Sequence, residues 1–129
     1  MKEIKEISRK SMYHKESGCA CGPFGYEAVD AEITVEVDGQ TIYLLGQWED
    51  ITGEYGFEAT KESVYDVIEK SQDLRGAEEQ KAFKELDRIR KGTIKDDAMF
   101  QPYYDQLREM LHAEMEAHDI DWEDEDEEE

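Results

Sequence analysis

Asp38-Gly39 constrains this chain more tightly than any other pair of residues. It separates two alternating segments, "VDAEITVEV" and "QTIYLLGQW". Asp-Gly between such runs is the strongest local signal for a two-residue type I′ hairpin, in which both central residues take positive φ. The turn also fixes the register. Val37 faces Gln40, Val35 faces Ile42, Ile33 faces Leu44, Ala31 faces Gly46 and Val29 faces Trp48. Those pairs share one side, which is almost wholly apolar. The other side pairs Glu36 with Thr41, Thr34 with Tyr43, Glu32 with Leu45 and Asp30 with Gln47. A slip of one residue would exchange the two sides, so turn chemistry and patterning specify the same hairpin independently.

Further strands flank it. Residues 3–13, "EIKEISRKSMY", alternate less cleanly, and Lys5, Arg9 and Lys10 are placed to pair across strands with Glu32 and Glu36. "YGFEA", residues 55–59, puts Tyr55, Phe57 and Ala59 on one face. Three helices follow. The first is expected from an N-cap at Thr60 to about Leu74, burying Val64, Val67 and Ile68. The second covers Ala77–Lys91 with a stripe of Ala82, Phe83, Leu86 and Ile89, and Gly92 lies just past its end. The third begins at Pro102, a residue suited to a first helical turn, and carries Tyr103, Tyr104, Leu107, Met110, Leu111 and Met115. The expected fold is α+β: an N-terminal antiparallel sheet of three to four strands, with about three C-terminal helices covering one face. Residues 1–118 make one domain and residues 119–129 an acidic tail.

Charge bounds the partners. The 129 residues carry a formal net charge of −20. Residues 119–129 hold nine acids and no base, and residues 16–80 hold sixteen acids against three bases, so the acidity extends well into the expected domain. Such a field repels phosphates and disfavours nucleic acid as a direct ligand, whereas a basic protein surface suits it. No apolar run approaches membrane-spanning length, and the N-terminus lacks an apolar leader core, so a cytoplasmic protein is expected.

The segment "HKESGCACGPFG", residues 14–25, raises the question of a chemical site. His14, Cys19 and Cys21 are candidate zinc ligands, with His112 or His118 as a fourth. Zinc knuckles usually space their cysteines as CxxC, and CxC is tighter. A thiol nucleophile with His14 as base is the related alternative, but acidic surroundings raise a thiol's pKa. The expectation is a glycine-rich structured loop without metal or cofactor. Carboxylates abound without a distinguishable acid/base pair, so no enzyme is expected. The tail begins with acids at positions 1, 3 and 5 of a calcium loop, then has Asp124 where glycine is required. Ile120 and Trp122 stand among its acids as apolar anchors for a basic-rimmed groove.

A partner-binding surface can be assembled from the polar side of the hairpin. Asp30, Glu32 and Glu36 fall on one strand, where alternate residues are roughly 6.6–6.8 Å apart, comparable to the phosphate repeat of a nucleic-acid strand. Glu62, Asp66 and Glu69 add a helical face, and Trp122 a tail anchor. In size and charge the chain resembles the small acidic inhibitors of phages and mobile elements, including anti-CRISPR and anti-restriction proteins that mimic DNA. The resemblance implies a nuclease or other nucleic-acid-binding enzyme as target, blocked sterically and electrostatically without catalysis.

Overall fold

The computed structural model describes residues 3–16, 26–50, 53–72, 74–94 and 97–120. Four antiparallel strands, β1 (Ile4–Glu16), β2 (Tyr26–Val37), β3 (Gln40–Glu49) and β4 (Tyr55–Thr60), lie side by side in chain order. Three helices follow: α1 (Val64–Ser71), α2 (Ala77–Lys91) and α3 (Asp97–Ala117). The arrangement is α+β. No helix among the described residues is long and apolar enough to cross a membrane.

The hairpin register is the one its turn dictates, from Val37↔Gln40 through Val29↔Trp48. Asp38 and Gly39 both have positive φ, 56° and 78°. Tyr55, Phe57 and Ala59 of β4 pair with Trp48, Gly46 and Leu44, extending the apolar side. The weak alternation of β1 has a local cause. The register shifts between Glu6 and Ser8, and Ile7 is 52% exposed at the irregularity. A bulge reverses which residues face which side. Lys5 therefore meets Glu36 and Lys10 meets Glu32, but Arg9 pairs with Ile33 on the opposite side.

Helices cover both faces of the sheet, not the single face expected. α3 packs Phe100, Tyr104, Leu107, Leu111 and Met115 onto Val29, Ala31, Ile33, Val35, Leu44 and Trp48. α1 and α2 cover the other side through a smaller cluster of Leu45, Val64, Tyr65 and Ile89, with Met12, Val67, Ile68 and Leu86 at its margin. The polar side of the hairpin can be buried because Leu45 and Met12 supply apolar contact and its acids find partners within the fold.

Helix ends differ in instructive ways. α1 starts after Ser63, whose hydroxyl accepts from the Asp66 N–H at 3.0 Å; Thr60 ends β4, with its hydroxyl donating to the Glu62 carbonyl at 2.6 Å. α1 ends at Ser71, short of Leu74. α2 has the expected bounds, but Phe83 is 46% exposed, so its inward stripe is Ala82, Leu86 and Ile89. Gly92 caps it with φ −98°, its N–H bonding the Ile89 carbonyl at 3.0 Å, without a left-handed turn. α3 begins at Asp97, so Pro102 lies inside it. As the sixth residue it removes the N–H that would bond the Ala98 carbonyl, and burial of Phe100 against the core holds the turn that precedes it. At the far end Asp119 takes φ 58°, and the Ile120 N–H bonds the Met115 carbonyl at 2.9 Å. Ile120 is 8% exposed and belongs to the core, so the folded chain continues into the expected tail.

Candidate binding surface

The expected acidic row is enclosed. Asp30 is 1% exposed and Glu32 2%. Asp30 accepts from His14 Nε2 at 2.6 Å and from Gln47 Nε2 at 2.7 Å. Gln47 Oε1 in turn accepts from Arg90 at 2.9 Å, and Arg90 Nε donates to Glu58 at 2.8 Å. This chain of bonds crosses all four strands and reaches α2. Glu32 accepts from Ser63 and, at 3.4 Å, from Thr34; Lys10 Nζ is 3.8 Å away. Burial pushes the Glu32 carboxyl above the usual carboxylate range, against the opposing pull of Ser63 and Lys10.

The remaining acids of that expected surface scatter. Asp66 is bonded to Lys10, whose ammonium also sits 4.8 Å from the centre of the Tyr65 ring. Glu36 is half-buried opposite Lys5. Glu62 receives both guanidinium nitrogens of Arg88 at 2.7 and 2.8 Å, and Arg88 also bonds Glu85. Glu69 is exposed. Asp30, Glu32 and Glu36 thus do not form an outward strip, because Asp30 and Glu32 are enclosed on the α1–α2 side and Glu36 alone is half-exposed.

The histidines are dispersed as well. His14 lies under the α1–α2 side. His112 bonds the Tyr55 hydroxyl at 2.6 Å on the α3 side, and burial followed by the nearby Arg108 charge lowers its pKa. His118 stacks on Tyr13 with ring centroids 3.9 Å apart and lies 3.4 Å from Glu114. His14 thus lies on the opposite side of the sheet from His112 and from the Tyr13 ring on which His118 stacks. Among the described residues no group of three His, Cys, Asp or Glu side chains is placed to hold a metal ion. Cys19, Cys21 and Trp122 lie outside the described residues.

A different set of acids converges at one end of the sheet. Ala28↔Glu49 and Trp48↔Tyr55 define that end. Asp50 and Glu27 are tied there by two bonds, Asp50 N–H to the Glu27 carbonyl at 3.0 Å and Glu27 N–H to Asp50 Oδ1 at 3.1 Å. Glu54 immediately precedes β4. The Tyr55–His112 and Tyr13–His118 contacts bring the last turns of α3, with Glu116 and Asp119, to the same end. A shallow groove of about 220 Å³ beside it is lined by Gln47, Trp48, Glu49, Glu54, Tyr55 and Gly56. Asp50, Glu54, Glu116 and Asp119 are exposed and Glu49 is half-buried. Sequence reasoning missed this cluster because Glu49, Asp50 and Glu54 lie close together near the β3–β4 connection whereas Glu116 and Asp119 lie far along the chain at the end of α3; the hairpin register placing Glu49 at a sheet end was the available signal for the first three. Compared with known proteins, the chain matches no family model, no curated protein and no solved structure.

Proposed function

We propose that this chain is an acidic binding module that occupies the basic, nucleic-acid-binding surface of another protein and blocks it, as nucleic-acid mimics of the anti-CRISPR and anti-restriction kind do. It acts in the cytoplasm, without catalysis, and binds neither nucleic acid nor membrane itself. The supporting observation is the acidic end of the sheet, where Glu49, Asp50, Glu54, Glu116 and Asp119 gather and from which the acidic residues 121–129 follow in the chain. Concentrated charge of one sign steers an oppositely charged partner. Glu69 and Trp122 are kept as contributors; Asp30 and Glu32 are not, being enclosed. The test is capture of partners from a host lysate at low salt, elution by a salt gradient, and competition with DNA and RNA. A captured protein that elutes at modest salt and is displaced by nucleic acid supports the reading. Binding that is insensitive to both overturns it.

A second reading, a zinc or thiol protein built on His14, Cys19 and Cys21, is favoured by one contact: the Asp30 carboxylate holds His14 Nε2. Carboxylates commonly orient histidines that ligate metals or act as bases. Zinc content and chelation decide between the two. The first reading expects less than one zinc per chain and a folded Cys19→Ser/Cys21→Ser protein. One zinc per chain with unfolding on chelation favours the second.

A further inference from the structure

The two faces of the sheet are held by unequal means. Among the described residues, the buried hydrophobic cluster on the α3 side has fifteen members and that on the α1–α2 side four, with Ala82 of α2 and Ala28 of β2 buried outside both. On the α1–α2 side also lie four buried polar residues, Asp30, Glu32, Thr34 and Thr60. Buried charges return little net stability, because desolvation offsets their mutual attraction. Elements with few buried apolar contacts open at lower free energy than the core.

The two helices are one topological unit. Residues 61–93 leave the sheet at the end of β4 and return at Ile94, which bridges Ala59. Gly76, with φ 63°, turns the chain between them. Polar attachments to the sheet are Ser63 to Glu32, Asp66 to Lys10, and Arg90 to Glu58 and Gln47. Ser63 is also the N-cap of α1, so Glu32 grips the first turn of that helix.

We propose that the α1–α2 hairpin is a cover that opens from the sheet as a unit while the sheet and α3 remain folded, and that the charge on Glu32 sets how often it opens. The groups facing Glu32 are Lys10 from β1, Thr34 from β2, and Ser63, Asp66 and Tyr65 from α1; Leu45, its partner on β3, is apolar. Glu69 on α1 acts on Lys10 and Tyr65, and Arg90, the α2 cation directed at the sheet, is engaged by Glu58 and Gln47. Burial makes the closed form hold the Glu32 proton more tightly than the open form does. Closure is therefore favoured as pH falls and weakens as pH rises through the raised pKa. Opening exposes Asp30 and Glu32 beside Glu36, which is the acidic row legible in the sequence.

Amide hydrogen exchange on the full chain, free in solution, tests this. The measurement needs no partner, so its outcome is separate from that of the binding proposal. Protection factors for α1 and α2 should lie at least about tenfold below those of β2 and β3, and should fall as pH rises from 5 to 8. Glu32→Gln, which keeps a hydrogen-bonding amide without charge, should raise α1–α2 protection severalfold at pH 8 and flatten its pH dependence, leaving β2 and β3 unchanged. Equal protection in both layers of the wild-type protein overturns the proposal, because it means opening is global. A loss of α1–α2 protection in Glu32→Gln overturns the role of the charge.

Discussion

A Cβ built on Gly46 would stand 3.1 Å from the Cβ of Leu107. It would also meet Phe57 at 3.3 Å and Leu111 at 3.4 Å, so α3 rests on the sheet at a position crowded from three sides. Gly46→Ala should be destabilising by about 1–3 kcal/mol, the usual range for overpacking a filled core. Gly46→Val should cost more. Denaturant unfolding of both variants checks this. An unchanged midpoint for Gly46→Val would mean that α3 does not sit against β3 as described.

Glu32 and Glu36 share a strand and a side but not an environment. Glu32→Lys places a second ammonium beside Lys10 and removes the acceptor of Ser63. Leaving an uncompensated ammonium at that buried position costs about 3–5 kcal/mol. Glu36→Lys faces Lys5 at a half-buried position, and like charges across strands cost less, about 0.2–1 kcal/mol. The measurement is the pair of unfolding free energies. Similar values for the two would show that α1 does not enclose Glu32.

Gln47 is the middle link between Asp30 and Arg90. Gln47→Leu should leave the buried Asp30 carboxylate short of one donor, at about 1–3 kcal/mol. Arg90→Ala should cost less, because its guanidinium is partly exposed and surface pairs contribute little. The order of the two effects in thermal unfolding is the test. A larger loss from Arg90→Ala would place the stabilisation in the Arg90–Glu58 pair instead.

His112 supplies a pH dependence of opposite sign to that of Glu32. Its pKa is lowered in the fold, so the unfolded chain takes up the proton first. Its stabilising contribution is complete above its ordinary value of about 6.5 and is lost as pH falls through the lowered one. His112→Gln should therefore flatten the decline in stability between pH 7 and pH 5, as read from urea midpoints. An unaltered slope would assign that decline to another group.

The hairpin was fully legible because two unrelated signals agree: Asp38-Gly39 fixes the turn and alternation fixes the sides. Lys5 and Lys10 were expected across from Glu32 and Glu36, and they pair with Glu36 and Glu32. The place of Arg9 was not legible, since the bulge at Ile7 reverses its side and nothing in "EIKEISRK" marks that position. The acidic row failed for a different reason. Alternation states which residues share a side, not whether that side meets water. Asp30 and Glu32 look like surface residues until Ser63, Lys10, His14 and Gln47 are seen to satisfy them. Thr60 and Ser63 are both plausible N-caps, and the length of β4 decides between them. The acidic end of the sheet could not be assembled from the chain, because it depends on where α3 finishes.

That end carries the functional prediction. Replacing Glu49, Asp50, Glu54 and Glu116 with their amides removes four negative charges without touching Asp30 or Glu32. The Asp50 carboxylate also accepts from the Glu27 N–H, so circular dichroism and the unfolding midpoint must first show the fold intact. Association with a captured basic partner should then slow by at least about tenfold at low salt, because steering follows the summed field. The difference from wild type should shrink at high salt, where exposed charges are screened over about 3 Å at 1 M. Replacing Glu62 and Glu85, which are engaged by Arg88, should change the rate far less. Deletion of residues 121–129 apportions the field between the sheet end and those nine residues, and Trp122→Ala, which leaves the charge untouched, separates an apolar anchor from electrostatics. Surface-plasmon association rates across a salt series measure all of these variants. Equal rates for the wild type and the four-amide variant at low salt would remove the sheet end as the docking surface, and a large effect of Trp122→Ala on dissociation alone would move the contact to the tail.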